Sequence, residues 1–222
     1  LLRGDFKMFK TRRDAAIKLS TKLMDLYSKD VVVLGISAGG MLVADELAHE
    51  LNLRADMLVV RKLRVPDHRT EPMGAIALGG ETVFNKGIIE HFKVSQEVLN
   101  ATERDERKNL LAEDSQFHDA TNPMLDVVGK IVLLVDDGMS TGVTMRAAID
   151  AMKAQSAREI IVASPVPSTQ VCMMFQGIAD RTICFATPQP FQSVANWYEN
   201  FDKPSDDEIR NLILKNHAEP AL

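Results

Sequence analysis

Two adjacent aspartates, followed by glycines and hydroxyl-bearing side chains, form the stretch of this chain best suited to bind a charged ligand. Asp136 and Asp137 come directly after the apolar run from Ile131 to Val135. They are followed by Gly138, Met139, Ser140, Thr141, Gly142, Val143 and Thr144. Unpaired backbone N–H groups in such a turn and at a helix start attract phosphate, and hydroxyls add donors. Carboxylates bind sugar hydroxyls or Mg²⁺, so the stretch predicts a site for a phosphorylated sugar.

A second glycine-rich turn follows the apolar run from Val31 to Leu34. Its residues are Gly35, Ile36, Ser37, Ala38, Gly39 and Gly40. Two functions compete for it, and an unliganded turn is a third alternative. One is an anion site built from backbone N–H groups. The other is the G-x-S-x-G nucleophile elbow of a hydrolase, with Ser37 as nucleophile and His217 as base. An elbow of this kind normally follows several strands, but only one helix precedes Ser37, and the sequence has no His-Gly-Gly-Gly-like segment, which argues against the hydrolase.

Positive charge follows the next apolar run, Met57 to Val60, which we predict to be a third strand of the same sheet. The cations are Arg61, Lys62 and Arg64. Ligands bind where the carboxyl ends of parallel strands meet. We therefore expect Lys62 to lie beside both turns, with Arg61 as the second choice.

The periodicity of apolar residues predicts the elements that position these groups. We expect an α/β fold with a Rossmann-like, mostly parallel sheet flanked by helices. The expected helices span about 12–27, 41–51, 95–117, 169–176 and 205–216, the later strands 159–163 and 181–185, and a hairpin pairs 75–78 with 82–85.

Composition excludes several classes of protein. The chain has 222 residues and a net charge of −5, which gives no basic field for nucleic acid. No apolar run approaches the roughly 20 residues of a membrane span, and no signal peptide is visible. Cys172 and Cys184 match no metal or redox spacing, so we expect reduced thiols and a cytoplasmic protein.

The string at 132–145 resembles the PRPP-binding motif of type I phosphoribosyltransferases: four apolar residues, two acids and a loop ending in Thr-Gly-x-Thr. The resemblance covers about residues 10–210, and the tail and lid look like a group of predicted bacterial and archaeal members. It implies a single domain over 1–222 that transfers ribose 5-phosphate from PRPP to a nucleobase-like nitrogen acceptor, with Mg²⁺ as cofactor and release of pyrophosphate. A non-catalytic PRPP-sensing module is the alternative, and a homodimer is a family-level expectation.

The resemblance also assigns roles to residues. Asp136 and Asp137 would hold the ribose hydroxyls, directly or through Mg²⁺, and 138–144 would cradle the 5-phosphate. Residues 37–40, Arg61 and Lys62 would bind pyrophosphate. Asp136, Asp137 and Lys62 are the candidate catalytic residues. The chain departs from the family at two positions. Many members carry Arg or Lys where this chain has Ala38. Some hypoxanthine–guanine-type members carry an acid where this chain has Ser140, and the absence of that acid disfavours a 6-oxopurine acceptor.

Two segments are expected to cover the site by the same resemblance. A lid insertion at about 63–94 would exclude water, with His68, Arg69 and Glu71 as candidate groups. A hood at about 187–204 would stack on the acceptor through Phe191, Trp197 and Tyr198. Simple packing on the core remains the alternative for Trp197, and an ordinary surface histidine for His68.

Overall fold

A computed structural model of the chain describes residues 7–66 and 68–218, without the side chains of 69 and 70. The strands are β1 (Val31–Gly35), β2 (Arg54–Met57), β3 (Val60–Val65), β4 (His68–Ala77), β5 (Val83–Phe84), β6 (Ile131–Val135), β7 (Glu159–Ser164) and β8 (Arg181–Cys184). The helices are α1 (Arg12–Ser20), α2 (Ala38–Leu51), α3 (Lys86–His91), α4 (Gln96–Asp114), α5 (Val143–Ala154), α6 (Thr169–Phe175) and α7 (Asp206–Ala218).

The main sheet is parallel and has the strand order β2-β1-β6-β7-β8. Its central strands are continuous β-branched and leucine runs because both faces are covered. Val33 and Leu133 pack with α1, α2 and α7, whereas Leu34 and Leu134 pack with α5 and α6. The predicted α/β class is confirmed. Among the described residues, every helix is too short or too polar to cross a bilayer.

A second sheet of order β3-β4-β5 is antiparallel. It corrects the prediction of a third parallel strand at 57–60, because β2 ends at Met57 and the chain enters the other sheet at Val60. Leu58 and Val59, which connect the two strands, are also buried. The apolar run is therefore continuous, and the sequence gives no sign that the chain passes from one sheet to the other. The predicted hairpin is present, with Ala75 opposite Val83, but β4 pairs mainly with β3.

Helix boundaries also differ from the sequence prediction. α1 ends at Ser20 and is followed by a 3-10 turn at Met24–Leu26, where one helix to residue 27 was expected. α2 begins at Ala38 with Ser37 as N-cap, so the glycines at 39 and 40 belong to its first turn. A Ser N-cap supplies an acceptor for the first N–H groups and permits this early start.

Cys172 of α6 and Cys184 at the end of β8 form a disulfide. The expectation of reduced thiols is therefore wrong. The spacing of the two cysteines did not indicate a disulfide. They meet because α6 packs against β8, the strand that follows it.

A buried polar cluster fastens the edge strand β2 to the segments after α4 and within α7. Both oxygens of the fully buried Asp56 are engaged: Nε2 of His118 lies 2.9 Å from Oδ1 and Nε2 of His217 lies 2.9 Å from Oδ2. The other ring nitrogens contact Asp114 at 2.7 Å and Asn122 at 2.6 Å. Burial would raise the pKa of Asp56, but the two histidines outweigh it and lower that pKa to about 2. Burial also opposes the His118 cation, yet Asp114 and Asp56 raise its pKa to about 9.

We expect the contribution of His118 to the free energy of unfolding to disappear at alkaline pH. Its folded pKa lies above the ordinary value of 6.5, so the stabilisation is fully present below that pH and is lost as the pH rises through about 9. Urea unfolding of the wild-type protein and His118→Asn should therefore differ most near about pH 6 and least above about pH 9. Replacement of the exposed His49 by Asn is the control. A difference that is constant with pH would contradict a charged His118.

Candidate functional site

The two glycine-rich turns lie side by side at one edge of the parallel sheet. Gly35, the last residue of β1, is in register with Val135, the last residue of β6. The N–H of Ile36 donates to the carbonyl of Val135 at 3.0 Å. The hydroxyl of Ser37 donates to Oδ1 of Asp136 at 2.7 Å, so the acidic turn and the first anion turn are in direct contact.

Ser37 has a structural role that excludes its use as a hydrolase nucleophile. Its Oγ accepts a hydrogen bond from the N–H of Gly40 at 2.8 Å while it donates to Asp136. The candidate base, His217, is bound instead to Asp56 and Asn122. The predicted triad needs His217 within hydrogen-bond reach of Ser37, and both ring nitrogens of His217 are engaged elsewhere. We therefore reject the hydrolase alternative.

A cleft of about 310 Å³ opens between the main sheet and the second sheet. Its walls come from the turn after β1, from β3, from α4 and from the acidic turn with the start of α5. The lining residues are Ile36, Ser37, Ala38, Val60, Arg61, Lys62, Arg64, Glu113, Asp136 and Thr144. The cleft therefore brings together residues that the sequence analysis assigned to pyrophosphate and to the ribose 5-phosphate motif.

Lys62 and Arg61 occupy different environments within β3. The side chain of Lys62 is exposed at the cleft. Arg61 instead forms ion pairs with Glu106 at 2.9 Å and Glu113 at 2.8 Å, both on α4. Burial would lower the pKa of Arg61, but these carboxylates outweigh it and raise it. Arg61 lines the cleft, but its charge is already paired, and a role for it in pyrophosphate binding stays a prediction.

The two aspartates of the acidic turn are held differently. Asp136 lines the cleft, and burial together with the neighbouring charge of Asp137 raises its pKa to about 7. Asp137 is buried, and its Oδ2 accepts a hydrogen bond from Nε of Arg12 at 2.7 Å. Burial raises the pKa of Asp137, and the Arg12 guanidinium opposes that shift. Nothing in the sequence indicated Arg12 as a site residue, because the first residue of a helix carries no local sign of a partner 125 positions away.

In the rest of the turn, the backbone at Met139 is held by a hydrogen bond, and the first N–H groups of α5 have no side-chain cap. Met139 is buried, and its carbonyl accepts from the N–H of Ser168 at 2.8 Å. Gly142 has a φ of 72°, which favours glycine, and it precedes α5 without a side-chain cap. The first N–H groups of α5 therefore lack the side-chain acceptor that a Ser or Asp at this position supplies. Thr141 is exposed, and Thr144 lines the cleft.

The hood segment packs against the acidic turn but not as the sequence analysis expected. Tyr198 is buried, and its hydroxyl donates to the carbonyl of Asp137 at 2.6 Å. Its ring lies 5.3 Å from Phe9 and 5.0 Å from Phe201, between centroids. Tyr198 therefore supports the turn and offers no face to an acceptor, which corrects its assignment as a stacking residue. Phe191 and Trp197 are half-buried, and their stacking role stays a prediction.

The expected lid segment contains most of the antiparallel sheet. His68 lies with its ring centroid 4.6 Å from that of Phe92, so its imidazole packs on the neighbouring segment. Glu71 is half-buried on β4. The side chain of Arg69 lies outside the described residues. A lid function for this segment stays a prediction.

Comparison with known proteins agrees with this geometry. The profile of the phosphoribosyl transferase domain matches residues 74–171. The crystal structure of TT1426 from Thermus thermophilus is 30% identical, with a TM-score of 0.78 over 95% of this chain and 99% of that chain. Two Mycobacterium tuberculosis proteins provisionally named phosphoribosyl transferases, MT0597 and Rv0571c, are each 35% identical over 213 residues, or 96% of this chain.

The fold and the matches define the class of protein. The chain belongs to the phosphoribosyl transferase family, as the acidic motif indicated. The chain spans about half, 48%, of the length of the curated relatives that it matches. The likeness to those proteins therefore concerns one half of each.

We expect Gly39→Ala to destabilise the site. A Cβ at Gly39 would collide with the carboxylate of Asp137 and lie 2.9 Å from Nε of Arg12. Because both are buried and paired, the free energy of unfolding should fall by about 1–3 kcal/mol, measured by urea denaturation. Gly177→Ala, where nothing lies within 4 Å of the new Cβ, is the control. Equal stability of the two variants would contradict the close approach.

Proposed function

We propose that this domain binds PRPP with Mg²⁺ and transfers its ribose 5-phosphate group to a nitrogen acceptor, with release of pyrophosphate. The single observation that carries the proposal is the cleft in which Asp136, Thr144, Ser37 and Lys62 converge. A sugar with a phosphate at one end and a pyrophosphate at the other requires anion donors on both sides of a hydroxyl-binding group. The lining of the cleft includes groups of each of these kinds.

The 5-phosphate would bind at the start of α5. The N–H groups that follow Gly142 have no side-chain cap, and the helix dipole adds positive potential at the same place. The hydroxyls of Ser140, Thr141 and Thr144 add donors around these N–H groups. Met139 contributes backbone only, because its side chain is buried.

Pyrophosphate would bind between the turn at Ser37 and the exposed Lys62. Ala38, Gly39 and Gly40 form the first turn of α2, so a second helix start faces the cleft there. Lys62 supplies the full positive charge that this turn lacks, and it acts by stabilising charge on the leaving group. Positioning of PRPP and of the acceptor would supply much of the remaining rate.

The acidic side of the cleft, at Asp136, fits the ribose hydroxyls and a Mg²⁺ ion. The donor set consists of carboxylate and hydroxyl oxygens, which are the ligands that Mg²⁺ prefers. The raised pKa of Asp136 reflects the desolvation of a half-buried carboxylate and the charge of Asp137 beside it, and an incoming cation or hydroxyl donor would relieve that repulsion. Bound Mg²⁺ would neutralise the phosphates of PRPP, and Asp136 would hold it directly or through water or the ribose hydroxyls.

The experiment that tests the proposal has two measurements. Titration calorimetry with PRPP and Mg²⁺ measures binding, and pyrophosphate release is then followed with a panel of purine, pyrimidine and pyridine acceptors. Binding together with acceptor-dependent release supports a transferase. Binding without release for any acceptor identifies a PRPP-sensing module instead. No binding of PRPP would overturn the proposal.

We expect Asp136→Asn to weaken PRPP binding without unfolding the protein. The amide oxygen of Asn can still accept from Ser37 and from the N–H of residue 137, which both donate to Oδ1 now. The dissociation constant for PRPP with Mg²⁺ should rise by more than about tenfold, because the charge is lost. The melting temperature should stay equal or rise, since a carboxylate that burial disfavours has been removed. Asp30→Asn, an acid with 73% of its side chain exposed, is the control.

A further inference from the structure

Arg12, the first residue of α1, joins the acidic turn to the segment before α7. It is only 7% exposed. Its Nε donates to Oδ2 of Asp137 at 2.7 Å, and its Nη1 donates to the carbonyl of Asp202 at 2.9 Å. Its guanidinium carbon lies 3.9 Å from the ring centroid of Phe201. The plane of the guanidinium is thereby fixed by a carboxylate, a carbonyl and an aromatic face, which an arginine satisfies better than a lysine.

Asp137 is fixed on more than one side. Besides the Arg12 contact, its own carbonyl accepts the hydroxyl of Tyr198 at 2.6 Å. Gly39 lets its carboxylate pass close to the start of α2. Asp136, in contrast, lines the cleft, and its hydrogen bonds from Ser37 and from the N–H of Asp137 both go to Oδ1.

We propose that Arg12 is a positioning residue for the PRPP turn: it neutralises Asp137 and holds that carboxylate back from the cleft, so Asp136 alone contacts the ribose hydroxyls and Mg²⁺. The inference rests on the proposed function and divides the two acids between two tasks. With Arg12 in place, the acid pair presents one net negative charge to a ligand that is itself strongly anionic. Without Arg12, the second charge is unpaired and repels the phosphates.

The test compares four variants by calorimetry with PRPP and Mg²⁺, at a temperature well below each melting transition. Arg12→Met should raise the dissociation constant by more than about tenfold, because truncating one partner of a buried ion pair leaves the other unpaired. Arg12→Lys should recover part of the affinity. The double variant Arg12→Met with Asp137→Asn removes both charges, and its affinity should return to within about threefold of wild type. Arg13→Met is the matched control, because the adjacent Arg13 has 72% of its side chain exposed and pairs with Glu46 outside the cleft.

The recovery in the double variant separates positioning from a merely structural role. If Arg12 held the turn only through its contacts with Asp202 and Phe201, the double variant would bind as weakly as Arg12→Met. If Asp137 contacted the ligand, the double variant would bind as weakly as Asp136→Asn. Either result, or an Arg12→Met protein that binds like wild type, overturns the inference while the proposed function stands. Failure of the wild-type protein to bind PRPP overturns the proposed function first.

Discussion

The site depends on the parallel pairing of β1 with β6. This pairing is in register to the last residue of each strand, Gly35 opposite Val135. Both strands therefore end at the same level of the sheet, and the turns that follow them leave the same edge together. The Ser37 hydrogen bond to Asp136 is a consequence of that register. A shift by one residue would turn the side chains of β6 to opposite faces and part the two turns.

Placing two carboxylates in this turn has an electrostatic cost, and several parts of the fold offset it. The carboxylate of Asp137 accepts a hydrogen bond from Arg12 at the start of α1, and its carbonyl accepts one from the hydroxyl of Tyr198 in the C-terminal segment. Asp136 receives the Ser37 hydroxyl, but its pKa remains raised because burial and the neighbouring charge prevail. A carboxylate with a raised pKa is expected in a site that binds a cation or hydroxyl groups.

The far side of the turn is supported by α6. Ser168 caps that helix and also contacts the backbone of the turn at Met139 and Ser140. A Cβ at Gly142 would meet the ring of Phe175, which shows how closely α6 approaches the turn. The disulfide from Cys172 to Cys184 ties this helix to β8. The phosphate-binding candidate loop is therefore packed between α6, the C-terminal segment and the turn after β1.

The sequence by itself determined the α/β class, the motif strand and turn, and the family, because these depend on local order: an apolar run, two acids and a hydroxyl-bearing loop before a helix. It also located Ser37 as a neighbour of that motif, since parallel strands end at one edge. Lys62 lines the same cleft as expected, but it comes from the antiparallel sheet and not from the end of a third parallel strand. What only the tertiary structure decided depends on long-range partners. The second sheet begins inside an apolar run that has no break, and Arg61 forms ion pairs with acids on α4. Tyr198, which was expected to stack on the acceptor, is buried against the acidic turn. Two further contacts were also decided only by the tertiary structure: the pairing of Arg12 with Asp137 and the disulfide from Cys172 to Cys184. Contacts between distant elements depend on how those elements pack, and they produce no periodic pattern in the sequence.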